Sequence, residues 1–137
     1  MRSGVFLSIF LLIPVASIAQ ECRYRTDGPT DVYSGNILVN VKGTIASLVR
    51  GSVTDQNGVS IPEVTVVLSR IVKGKTEYTY IGTTWTDVKG KFCFGTMPEG
   101  KYLVVFAHGG FNSVNVELKV RSQSGSRSLN IDLPVPI

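Results

Sequence analysis

The sequence predicts an all-β protein built as a single β-sandwich, on three observations. Apolar and polar residues alternate along most of the chain beyond residue 47, as in strands with one buried face. Clusters of turn-forming residues separate these runs at short intervals. No stretch of residues 20–137 carries a strong apolar period of 3.6, the mark of an amphipathic helix. The chain has 137 residues, the size of one domain. A domain of this length buries roughly 65% of its unfolded surface and folds without a staple.

Residues 1–19 read as a cleaved signal peptide. Arg2 supplies the positive start, Val5 to Ile13 is an apolar or small run, and Pro14 ends it. Ser17 and Ala19 are the small residues expected just before a cleavage at Gln20. Val5 to Ala19 is shorter than the roughly 20 residues that span a bilayer, so no stable membrane span is expected after cleavage. Gln20 and Glu21 before Cys22 do not form a lipidation box. The expected location is secreted or periplasmic.

Residues 20–47 read as an N-terminal extension, with the apolar residues Ile37, Leu38, Val39, Val41 and Ile45. Residues 48–137 read as the sandwich domain. Seven strands are predicted there, at about 48–55, 63–70, 76–86, 91–95, 101–107, 113–121 and 128–133. The clearest are Val64, Val66 and Leu68; Val114, Val116, Leu118 and Val120; and Leu129, Ile131 and Leu133. Each set alternates with mostly polar neighbours. Residues 76–86 are rich in Thr and Tyr and contain Trp85, a strand composition. Thr54-Asp55-Gln56-Asn57-Gly58 and Thr86-Asp87-Val88-Lys89-Gly90 share one turn pattern. In each, the Asp carboxylate is expected to accept backbone N–H groups, and Gly to take the positive φ that closes the turn. Pro98-Glu99-Gly100 is a third turn.

Two strands are apolar on both faces. With Phe92, Phe94, Tyr102, Val104 and Phe106 in the core, Cys93, Leu103 and Val105 face outward and need a cover. Residues 20–47 are expected to pack on them, bringing Cys22 to Cys93. The chain has only these two cysteines, and an even count in an exported protein reads equally as a disulfide or as two buried thiols. A Cys22–Cys93 bond closes a loop of about 70 residues, worth about 4 kcal/mol in the chain-entropy model.

The order of residues then resembles a known family. Val49-Arg50-Gly51-Ser52-Val53-Thr54-Asp55 is followed by Gly58, Ile61-Pro62, Val64 and Val66, then Thr84, Thr86-Asp87, Gly90, Phe92, Phe94, Pro98, Gly100, Tyr102 and Val104. Residues 48–134 resemble the carboxypeptidase regulatory-like domain. That resemblance implies a seven-stranded Greek-key sandwich of the transthyretin-like (prealbumin-like) kind, with no catalytic role of its own. Gly109-Gly110-Phe111 departs from the Gly-Tyr that the family carries after the next turn.

Candidate chemistry is sparse. One histidine, His108, and no Cys-x-x-Cys pair leave no zinc set and no cofactor. Each Asp turn offers one carboxylate, too few for calcium. The chain ends Leu133-Pro134-Val135-Pro136-Ile137, unlike the Tyr-Arg-Gly-Ser ending of the hydroxyisourate hydrolases that share the fold. Arg50 stands where related collagen-adhesin domains carry the lysine of an isopeptide bond, and a guanidinium cannot replace that amine. The net charge of +4 is dispersed, with no basic helix for nucleic acid.

Tyr78, Tyr80 and Trp85 form the one candidate ligand face. Trp85 shares a face with the tyrosines only if a bulge at Gly82 shifts the register. The functions expected are, in order, a non-catalytic exported interaction or structural module for an envelope or extracellular protein, a carbohydrate-binding module using the aromatic face, and an accessory to a metallocarboxypeptidase. Similar domains at the N-termini of TonB-dependent receptors make an envelope protein the expected partner.

Overall fold

A computed structural model describes residues 22–28, 37–46, 48–72, 77–109, 113–121 and 129–133. The signal peptide read at residues 1–19 lies outside these. Among the described residues every regular element is a strand: β1 (Ile37–Ala46), β2 (Leu48–Thr54), β3 (Thr65–Ile71), β4 (Tyr78–Trp85), β5 (Lys91–Thr96), β6 (Gly100–Ala107), β7 (Ser113–Val120) and β8 (Leu129–Asp132). β2 to β8 coincide with the seven strands read from the sequence.

The strands form two sheets. The large sheet runs in the order β1-β7-β6-β3-β4, and the small sheet in the order β5-β2-β8. β1 belongs to the N-terminal extension and pairs in parallel with β7, so the extension contributes a strand to the sandwich itself. The core lies between the sheets. Val49, Val53, Phe92, Phe94, Leu129 and Ile131 of the small sheet meet Val66, Leu68, Tyr102, Val104, Phe106 and the alternate valines and leucine of β7. Phe92 and Phe106 meet edge-to-face across the core, with ring centroids 5.3 Å apart. Fully burying each such side chain stabilises the fold by about 1.5–3 kcal/mol.

The two Asp turns close as their residues dictate. Asp55 Oδ1 accepts the N–H of Asn57 at 2.8 Å and of Val59 at 3.0 Å. Asp87 Oδ1 accepts the N–H of Lys89 at 2.8 Å and of Lys91 at 2.9 Å. Gly58 and Gly90 take φ values of 82° and 74°. In the third turn Tyr102 donates its hydroxyl to the Pro98 carbonyl at 2.6 Å.

Two expectations are corrected. Cys93, Leu103 and Val105 do not share a face. Cys93 is on β5 of the small sheet, Leu103 and Val105 on β6 of the large one, so their outward sides point away from each other. Periodicity along each strand assigns a residue to core or exterior but not to a sheet. Leu103 and Val105 instead form a cluster with Val67 on the outer side of the large sheet, with Ile71 and Tyr80 packed against it. The polar face expected on β7 is also partly closed: Asn115 is buried, where its strand is flanked by β1 and β6.

Candidate functional site

The site begins with the short segment 22–28. Cys22 is bonded to Cys93 of β5, with Cα atoms 5.5 Å apart. Three residues on, Arg25 pairs with Thr83 of β4, each N–H donating to the other's carbonyl at 2.8 Å. The segment therefore clasps an edge strand of the small sheet to an edge strand of the large sheet. Between these anchors the Tyr24 ring packs on Phe94, centroids 5.2 Å apart. Gly82 lies beneath that ring, where a Cβ would collide with it. The bridge at Arg25 also covers part of the β4 edge, which otherwise offers unpaired backbone groups.

The β3–β4 register decides where the aromatics point. Leu68 pairs with Gly82 and Ser69 with Tyr80, so Ile81 is skipped. Paired residues share a face, so the shift puts Tyr78, Tyr80, Thr83 and Trp85 together on the outer face of the large sheet. Their environments differ. Tyr78 and Trp85 are exposed, at 48% and 37%. Tyr80 is engaged by the clasp: its hydroxyl accepts the Gly28 N–H at 3.2 Å and lies 2.6 Å from Thr83 Oγ1 and 3.3 Å from the Arg25 carbonyl. One approach to the Trp85 ring is taken by the Arg25 guanidinium, 5.9 Å from the centroid. Arg25 Nε also pairs with Asp27 Oδ1 at 3.2 Å, and this hydrogen bond and charge hold the Asp27 carboxyl below its usual range.

Trp85 stands at the corner where β4 leaves the large sheet and the Asp87 turn leads into β5. On the other side of this corner an open groove of about 750 Å³ runs over the outer face of the small sheet. Arg23, Arg50, Lys91, Ser52, Asn130 and Trp85 line it. The pairing of Arg50 with Cys93, and of Ser52 with both Lys91 and Asn130, places these side chains on one face. Ser52 Oγ donates to Asn130 Oδ1 at 2.7 Å. Among the described residues the buried Arg50 Nε–H meets no acceptor. Asp87 also borders the groove, but its Oδ1 serves its own turn. The Lys91 N–H foremost, with that of Lys89, keeps the Asp87 carboxyl below its usual range.

His108 follows the end of β6, and its Nδ1 lies 2.9 Å from the Gly109 carbonyl. No group of three or more His, Cys, Asp or Glu among the described residues is placed to hold a metal. Among them, too, no helix is long and apolar enough to cross a membrane.

Sequence reasoning missed Arg23, Arg50, Lys91 and Asn130 as a set. The usable signal was Arg50, a cation in mid-strand two residues before the similarly outward Ser52. Nothing local shows that Lys91 and Arg23 converge on it.

A family model, the carboxypeptidase regulatory-like domain, matches residues 48–134. No curated protein sequence is significantly similar to the chain. Among solved structures, 3-chlorocatechol 1,2-dioxygenase from Rhodococcus opacus 1CP is similar at 15% identity and a TM-score of 0.49, over 83% of this chain and 72% of that one. Identity that low carries no chemistry across.

Proposed function

The chain belongs to the carboxypeptidase regulatory-like domain family, and from that premise we propose that it acts as an exported, non-catalytic interaction module for an envelope or extracellular protein. The observation that carries this reading is the contrast between its two outer faces. The large sheet closes the middle of its outer face over Val67, Leu103 and Val105. The small sheet leaves an open groove lined by Arg23, Arg50, Lys91, Ser52 and Asn130. Charged and hydrogen-bonding side chains gathered in an open groove offer a partner specific contacts. The disulfide supports export, since such bonds persist in oxidising compartments.

The test is site-specific photo-cross-linking in the native host. A cross-linker at Ser52 is expected to capture one envelope or extracellular protein, with capture competed away by the unlabelled protein. A cross-linker at Val59, which is exposed on a turn, is the control. No protein adduct at Ser52 sinks the reading.

A second reading is carbohydrate binding, favoured by the register shift that brings Tyr78, Tyr80 and Trp85 to one face. It expects Trp85→Ala to abolish binding on a glycan array. Tyr80 is engaged by the clasp and one side of Trp85 by Arg25, so this reading stands second.

A further inference from the structure

We infer that the groove over the small sheet is a binding site for an extended acidic peptide segment with carboxylates at alternate positions. The inference rests on the interaction-module reading and adds the partner's chemistry. Three cations line the groove, Arg23, Arg50 and Lys91, and the carboxylate at its border, Asp87, is engaged by its own turn. The groove is therefore electropositive and offers guanidinium and ammonium donors to an anion.

Arg50 is the centre of the site. It stands on β2, the middle strand of the small sheet. Its guanidinium offers charge-assisted N–H donors to a carboxylate, the pairing that arginine favours.

The spacing selects the ligand's form. Arg50 pairs with Cys93 and Ser52 with Lys91, so Arg50 and Lys91 are diagonal neighbours on one face. Diagonal neighbours on paired strands lie about 7–8 Å apart. Alternate side chains of an extended peptide point the same way and recur about every 7 Å. Carboxylates at alternate positions thus match the two cations. Ser52 and Asn130 lie beside them, and Trp85 forms the wall at the corner. Stacking on a sugar asks instead for a free aromatic platform, and Arg25 already occupies one side of Trp85.

Trp85 is the single tryptophan of the chain, so its fluorescence reports on the groove directly. The experiment titrates the protein with a short peptide of alternating glutamate and serine. The expected result is a saturable change in Trp85 emission that weakens with salt. Replacing glutamate by glutamine in the peptide abolishes it. Arg50→Gln weakens binding by about tenfold and Arg50→Lys by less, because lysine keeps the charge but not the fork. Lys91→Gln, on the groove rim, serves the same test if Arg50→Gln does not fold. Equal affinity of the Gln variants and the parent overturns the inference. Binding of polygalacturonate in place of the peptide also overturns it and makes the occupant an acidic polysaccharide. A protein cross-linked at Ser52 through a segment without acidic residues refutes this inference alone. No cross-linked protein at all refutes the reading beneath it.

Discussion

The outer faces of the two sheets solve one problem in opposite ways. A sheet of this sandwich buries its inner face in the common core, and its outer face must meet water or find a cover. The large sheet carries Val67 and Val105 fully buried and Leu103 nearly so, with Ile71 and Tyr80 against them. The middle of that face gives up contact with water and contributes to stability, while Tyr78 and Trp85 stay exposed on β4 at its edge. The small sheet presents Arg50, Ser52, Lys91 and Asn130 to an open groove. That face contributes little to stability and retains capacity for binding. The clasp at residues 22–25 joins the two sheets, so one covalent bond serves the fold and forms a wall of the groove.

The largest expected effect comes from opening the clasp. Cys22→Ser with Cys93→Ser removes a link spanning 71 residues, and the chain-entropy model expects a loss of about 4 kcal/mol. Equilibrium urea unfolding with and without reductant measures it. The same variant is expected to shift Trp85 emission, since Arg23 and Arg25 lose their anchor. An unchanged midpoint would show that the clasp shapes the groove without supporting the fold.

A smaller effect separates the two faces. Val105→Ala removes buried apolar surface from the large sheet and is expected to cost about 2 kcal/mol. Ser52→Ala on the small sheet breaks an exposed hydrogen bond and is expected to cost no more than about 1 kcal/mol. Thermal melts of the pair test the contrast, which collapses if the two losses are equal.

The smallest effect is a pH dependence at the border of the groove. Hydrogen bonds from the Lys91 and Lys89 N–H groups lower the Asp87 pKa below the ordinary 3.8. A depressed folded value means that the ionised carboxylate stabilises the fold. Its contribution is complete above 3.8 and disappears as pH falls through the lower folded value. Asp87→Asn is expected to melt below the parent at neutral pH, with the gap narrowing in acid. A gap that stays constant down to the acid limit would show that the turn does not depend on the charge.

Most of the strand pattern was legible because it is local. Val114, Val116 and Leu118 declare a buried face by alternation, and Asp87 with Gly90 declares a turn by its chemistry. The two cysteines allowed either a bond or two buried thiols; Cys22 does bond Cys93, although the shared outward face expected to bring them together does not exist. The face shared by Tyr78 and Trp85 was legible only as a condition, because it depends on a register irregularity that no single strand reveals. The groove was not legible at all. Arg23, Arg50, Lys91 and Asn130 come from the clasp and from three different strands.

By itself, then, the sequence determined an all-β sandwich of the carboxypeptidase regulatory-like kind, its strands and its Asp turns. Period-two burial and turn chemistry act over a few residues, and both can be read along the chain. Tertiary structure alone decided that β5 and β6 lie in different sheets, that β1 extends the large sheet, and that three cations converge beside Trp85. Those outcomes depend on strand order and register, which are set by long-range packing.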